Sequence, residues 1–185
     1  MADAAPALRL FFALWPDAAT RAALASLQDP LSQQAGGRLV APENLHLTMA
    51  FLGMQPAQLL PAISAVLDKM ALPEMTLQVD CYGYFPRARI AWAGMSRPPA
   101  ALVALHEDLS AALRQCGVGY DKPSVFRPHI TLMRHAAEGC AAAVAPVCWQ
   151  APQLALVQSS TAPGGPVYQV LGQPAKSAGD ATWGG

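Results

Sequence analysis

Leu45-His46-Leu47-Thr48-Met49-Ala50-Phe51-Leu52 is an apolar run that carries one imidazole and one hydroxyl two places apart. It is long enough for a strand, Pro42-Glu43-Asn44 supplies a turn before it, and Gly53 is expected to stop it. On a strand successive side chains alternate faces, so His46 and Thr48 project together while Leu45, Leu47 and Met49 turn the other way to pack. Pro128-His129-Ile130-Thr131-Leu132 repeats the arrangement later in the chain. With six threonines in 185 residues, composition alone puts Thr two places after a given His in roughly 3% of cases; two of the four histidines doing so falls near the ~1% level. The repeat is therefore a signal, and it gives the chain two matched strands.

Around these strands the elements interleave. Residues 9–15 form an aromatic-rich strand ending at Pro16, and Asp17 offers an N-cap for an Ala/Leu-rich helix to about residue 34, closed by Gly36-Gly37. A second helix is expected from about residue 56 to residue 71, broken by Pro73. Residues 75–84 and 89–93 then read as a hairpin linked by Phe85-Pro86-Arg87-Ala88. Pro98-Pro99 opens a third helix, which runs to about Cys116. Strands at 127–133, 153–160 and 167–171 follow, the last two joined at Gly164-Gly165, with an Ala-rich segment at 136–145. Hairpins and irregular interleaving favour an α+β fold with antiparallel or mixed sheets over a doubly wound parallel sheet. Residues 173–185, rich in Gly, Ala and Ser, read as a flexible tail.

Composition narrows the function. Hydrophobic residues make up 53% of the chain and charged residues 13%, enough for one core or two small packed lobes. Twelve Lys and Arg balance twelve Asp and Glu, so no net positive field holds duplex DNA or long RNA by counterion release, although a short nucleotide end remains accessible. Apolar stretches are too short to span a membrane, and Met1-Ala2-Asp3-Ala4 lacks a basic leader, which points to a cytoplasmic protein. Cys81, Cys116, Cys140 and Cys148 lie far apart and read as free, mostly buried thiols.

A lone histidine on an apolar strand reads as a hydrogen-bonded core residue; a matched pair with matched hydroxyls reads as a site. Two imidazoles suit in-line displacement at phosphorus, one neutral ring taking a proton from water and one protonated ring giving a proton to the departing ribose oxygen. Thr48 and Thr131 would donate to the non-bridging oxygens as charge builds there. Neither motif holds a carboxylate or thiolate, so no metal and no organic cofactor is expected. The chain has no G-x-x-x-x-G-K-[ST], G-x-S-x-G or G-x-G-x-x-G. His106, beside Glu107 and Asp108, reads as a solvated or capping residue of the third helix, and His135 as exposed. Phe11, Tyr84, Trp92 and Tyr168 are core aromatics or base-stacking surfaces, and Arg87 and Arg89 are a solvated hairpin or an RNA contact.

The two motifs in context, NLHLTMAFLG at 44–53 and FRPHITLMR at 126–134, resemble those of the two-histidine (2H) phosphoesterases, in particular the bacterial RNA 2',3'-cyclic phosphodiesterases also called 2'-5' RNA ligases. RLFFALWP at 9–16, YFPRARIAWAG at 84–94 and SSTAPGGPVYQVL at 159–171 extend the resemblance over nearly the whole chain. It implies one domain, residues 1–185, of two pseudo-symmetric lobes, each an antiparallel sheet with helices, facing across a cleft with one motif per lobe. It also makes His46 the proton donor, His129 the proton acceptor, and Thr48 and Thr131 phosphate ligands. Arg134 is a further phosphate candidate, although simple alternation points it away from His129 and Thr131 unless the strand bends after Met133. The implied enzyme is a metal-free, monomeric hydrolase of 2',3'-cyclic phosphate ends of RNA or nucleotides, with 2'-5' ligation as a weak reverse activity. Rival readings are a phosphodiesterase for another small cyclic nucleotide, such as ADP-ribose 1'',2''-cyclic phosphate, and a nucleotide-binding module without turnover.

Overall fold

The aromatic-rich segment before Pro16 forms the first strand, β1 (Ala7–Trp15), in a computed structural model that describes residues 6–33, 36–120, 125–140, 143–150, 152–163 and 165–174. Asp17 caps α1 (Ala18–Ser26), its carboxylate accepting the Thr20 N–H at 2.7 Å. The single helix expected to about residue 34 instead stops at Ser26 and restarts as α2 (Asp29–Ser32). Pro30 is the reason: it has no N–H, its ring would clash with a carbonyl one turn back, and it is tolerated in the first turn of a new helix. Residue 34 itself lies outside the described residues.

A two-residue strand, β2 (Arg38–Leu39), leads to a 3-10 turn at Pro42–Asn44 and then to β3 (Leu47–Pro56). β3 is not stopped by Gly53, which takes a φ of +67° and lets the strand continue past a bulge. A 3-10 turn at Ala57–Leu59 and α3 (Leu60–Lys69) follow. The strand expected over 75–84 is two strands, β4 (Thr76–Val79) and β5 (Cys81–Phe85). Asp80 divides them, because its carboxylate accepts both the N–H (2.7 Å) and the hydroxyl (2.6 Å) of Ser96. β6 (Ile90–Gly94) returns as a hairpin whose linking residues are 86–89, one place later than expected. The rest is α4 (Ala100–Gln115), β7 (His129–Arg134), an unanticipated β8 (Val147–Gln150), β9 (Gln153–Ala162) and β10 (Gly165–Gly172). Gly164 and residues 141–142, within the expected turn and the Ala-rich segment, lie outside the described residues, as do residues 175–185 of the expected tail.

Among the described residues every strand pairing is antiparallel, which fits the expected α+β fold and not a doubly wound parallel sheet. One sheet runs in the order β10-β9-β1-β3-β7-β6-β5, with β2 also on β7, while β4 and β8 form a separate ribbon. The two antiparallel halves, β10-β9-β1-β3 and β7-β6-β5, join edge to edge at a single register pair, Leu47 with Ile130. Both residues are fully buried and point into the core. By alternation, the motif residues on either side of them point to the opposite face.

The main core holds Leu10, Phe12, Leu14, Met49, Leu154 and Leu156 from the strands, with Ile63, Val66, Leu102, Leu105 and Leu109 from α3 and α4. Each such side chain contributes about 1.5–3 kcal/mol by leaving water. On the other face lies a small cluster, Phe11, Ala13, Ala155 and Val157, with Trp15 and Tyr168 packed against it. The cysteines are unpaired, and Cys116 and Cys148 are exposed rather than buried: Cys116 follows the end of α4, and Cys148 takes an outward position in the alternation of β8.

Three bulges set which side chains reach the second face. On β3, Phe12 pairs with Ala50 and Ala13 with Thr48, which skips Met49; Leu10 pairs with Gly53 and Phe11 with Phe51, which skips Leu52. On β7, Ala91 pairs with Met133 and Trp92 with Thr131, which skips Leu132. A skipped residue loses its place in the ladder, and a buried carbonyl there needs another donor. Each one has it. The His106 Nδ1–H donates to Met49 O at 2.9 Å and the Gln55 amide to Leu52 O at 2.6 Å; Leu132 O accepts the Val40 N–H at 2.8 Å and, at 2.9 Å, the Gln28 amide, which also reaches Val40 O at 2.7 Å. His106 is thus a buried structural residue, 1% exposed and stacked on Phe126 at 3.9 Å between ring centroids, not the solvated or capping one expected.

Candidate active site

His46 lies just ahead of β3 and His129 opens β7, so the Leu47–Ile130 junction brings the two motifs to one seam of the sheet. His46, Thr48, His129 and Thr131 are all half-buried, unlike the buried residues between them. The two imidazoles are held in the same way. His46 Nδ1 is 2.7 Å from Asn44 O, and His129 Nδ1 is 2.8 Å from Arg127 O, each a carbonyl two residues earlier. A carbonyl only accepts, so each Nδ1 carries the hydrogen and each Nε2 is left for proton exchange. Thr48 Oγ1 lies 3.1 Å from His46 Nε2 and donates to it when the ring is neutral.

Around His46, Trp15 stacks at 5.4 Å and 13°, Phe11 lies at 5.0 Å and 32°, and Tyr168 presents its edge at 5.3 Å and 89°. Around His129 are Phe85, edge-on at 5.0 Å, and Trp92 at 6.1 Å. Burial pushes the His46 pKa from its ordinary 6.5 down to about 4; the Asn44 carbonyl opposes this, and the charges of Arg134 and His129 add to it. His129 is also held below its ordinary value, chiefly by burial and further by Arg134, against the pull of the Arg127 carbonyl. The stacked indole of Trp15 favours the imidazolium once it forms.

Arg134 reaches this seam after all. The bulge at Leu132 makes Leu132 and Met133 both buried and returns Arg134 to the half-buried face of His129 and Thr131. The bend that simple alternation demanded thus falls one residue earlier than expected, and Arg134 acts electrostatically on both imidazoles. Of the aromatic candidates, Phe11, Trp92 and Tyr168 stand at the histidines, whereas the Tyr84 hydroxyl donates to Ala136 O at 3.0 Å. Arg89 likewise donates to His135 O and Ala136 O, Arg87 is exposed at the hairpin tip, and His135 is exposed as expected. The sequence reading passed over Trp15 and Phe85. For Trp15 a signal existed, since Phe11, Ala13 and Trp15 share one face of β1 by simple alternation. Among the described residues no group of three or more His, Cys, Asp and Glu side chains is arranged to hold a metal ion, and no helix is long and apolar enough to cross a membrane.

This arrangement has relatives. The family model of the 2'-5' RNA ligase superfamily matches residues 15–160. The chain is 37% identical over 130 residues to the RNA 2',3'-cyclic phosphodiesterase of Escherichia coli, covering 70% of this chain and 73% of that one. It is 36% identical over 178 residues to the enzyme of the same name from Thermus thermophilus, covering 89% and 88%. The crystal structure of E. coli LigT complexed with 3'-AMP superposes with a TM-score of 0.77 at 33% identity, covering 92% of this chain and 98% of that one.

Proposed function

Since the chain belongs to the 2'-5' RNA ligase superfamily, a family of two-histidine phosphoesterases, we propose that it is an RNA 2',3'-cyclic phosphodiesterase that opens cyclic phosphate ends of RNA or nucleotides to 2'-phosphates. The observation that carries this reading is the shared fixing of His46 and His129, each with Nδ1–H on a main-chain carbonyl and Nε2 left for chemistry at one seam.

Water attacks phosphorus while His129 Nε2 takes its proton; the bond from phosphorus to the 3'-oxygen breaks, and the Nε2–H of protonated His46 passes its proton to that oxygen. Thr48, Thr131 and Arg134 stabilise the charge on the non-bridging oxygens. An empty site keeps His46 neutral near pH 7; the anionic phosphodiester, bound beside it, offsets the charge of Arg134 and draws a proton onto the ring. No metal takes part, and the reverse reaction joins ends through a 2'-5' linkage, weakly. The reading treats the chain as one domain of two lobes, each bringing one motif, and as a cytoplasmic monomer, whose oligomeric state sedimentation checks.

Adenosine 2',3'-cyclic phosphate incubated with the purified protein in EDTA should yield adenosine 2'-phosphate, read by phosphorus NMR. Formation of the 3'-phosphate, or turnover that appears only on adding a divalent ion, would overturn this mechanism.

A further inference from the structure

Beside the catalytic seam, β2 lies antiparallel on β7 with Arg38 directly opposite Arg134. Opposed residues of an antiparallel pair stand side by side on one face, and like charges there repel. Both arginines line one cavity of about 90 Å³, together with Asn44 and Tyr168, and none of its described lining residues is acidic. The β9–β10 hairpin closes over it: Pro166 O accepts from the Asn44 amide at 3.1 Å, and a β-carbon at Gly165 would lie 3.2 Å from both Nη atoms of Arg38. The cavity touches the site, because Asn44 holds His46 through its carbonyl and Tyr168 packs on the His46 ring. It is not lined by His46, Thr48, His129 or Thr131.

We propose that this cavity binds a second phosphate of the substrate, the phosphodiester on the 5' side of the terminal nucleotide, with Arg38 as its principal ligand and Arg134 shared with the reacting phosphoryl group. Two guanidinium groups lining one small cavity, with no carboxylate among its described lining residues, make a site for an anion, and their planar forks suit phosphate oxygens. The inference rests on the phosphodiesterase reading and adds to it a preference for RNA ends over mononucleosides.

The test compares kcat/KM for adenosine 2',3'-cyclic phosphate, which has no 5' phosphate, with that for the dinucleotide ApA ending in a 2',3'-cyclic phosphate. Arg38→Gln should cost the dinucleotide about tenfold or more and leave the mononucleoside within about twofold, since a charge-assisted hydrogen bond to phosphate is lost from the dinucleotide alone. Arg38→Lys, which keeps the charge, should recover part of the difference. Equal losses on both substrates, or none on either, would overturn the proposal. If the wild-type protein turns over neither substrate, the phosphodiesterase reading fails on its own. The cavity is then judged by binding: wild type should hold adenosine 2',5'-bisphosphate about tenfold tighter than adenosine 2'-phosphate, and Arg38→Gln should lose that margin. No margin in the wild-type protein would overturn the site.

Discussion

The imidazole of His46 is bonded through Nδ1 to the carbonyl of Asn44, two residues back, and His129 bears the same relation to Arg127. Because the acceptor is a carbonyl, the bond selects one tautomer and one ring orientation in both motifs. Both rings are therefore expected to carry hydrogen on Nδ1 at about pH 7.5. Nitrogen NMR of the side chains checks this, and His46 should titrate near pH 4 in the free protein. Adding adenosine 2'-phosphate should raise that value, since the bound anion favours the charged ring. A resting ring with hydrogen on Nε2 would contradict the geometry.

The depressed pKa of His46 is also a statement about stability. Unfolded, the ring takes up a proton near pH 6.5; folded, it refuses one until about pH 4. Between those values the unfolded state binds more protons, so stability is present above pH 6.5 and is lost as pH falls toward 4, by up to about 3 kcal/mol from this group. His46→Gln removes the effect. Its stability relative to wild type should rise between about pH 7 and about pH 4.5 in urea titrations, whereas a constant difference would show that burial of the ring is not what holds its proton off.

Gln28 is the buried side-chain donor at the β7 bulge, binding Val40 O and, beside the Val40 N–H, Leu132 O. Gln28→Leu leaves those carbonyls without its amide and should cost about 1–3 kcal/mol. It should also lower kcat/KM, because the bulge aims Arg134. If it destabilised the fold but left activity untouched, Arg134 would not depend on the bulge for its position.

Such bulges explain where the sequence could be read and where it could not. The His-x-Thr pairs were legible because period-two alternation holds locally, and Leu47 and Ile130 do point inward. Arg134 was ambiguous because an inserted residue reverses the alternation, and nothing in HITLMR marks Leu132 as the extra one. His106 looked solvated beside Glu107 and Asp108, since its partner, Met49 O, is a main-chain carbonyl freed by a bulge on a distant strand. Pro30, by contrast, was a local signal that the helix reading overlooked. Arg38 faces Arg134 only through strand pairing, which is why the cavity beside the site appears only in the folded chain.

Gly83 permits the Trp92 indole to lie across β5. A β-carbon there would overlap ring atoms of Trp92, so Gly83→Ala must displace the indole that stands beside His129. The substitution should cost about 1–3 kcal/mol as overpacking and reduce turnover. Adding Trp92→Leu should restore part of the lost stability, giving a coupling above about 0.5 kcal/mol in a double-mutant cycle of melting data. Additive effects would mean that the ring and the glycine do not share that space.

Which histidine gives the proton is the last question, and the near-identical fixing of the two rings does not answer it. If His46 is the donor, its task is to neutralise the 3'-oxygen as the ring ester opens. A substrate with sulfur at the 3'-bridging position expels a stable thiolate and needs no such proton. His46→Ala and His129→Ala should each lose about 100-fold or more on the oxygen substrate, the usual contribution of a positioned acid or base. On the sulfur substrate His46→Ala should recover most of its rate, while His129→Ala stays slow because water must still be deprotonated. Recovery by His129→Ala alone would exchange the two roles. Failure of both to recover would mean that the rings act on the phosphoryl charge, not by transferring protons.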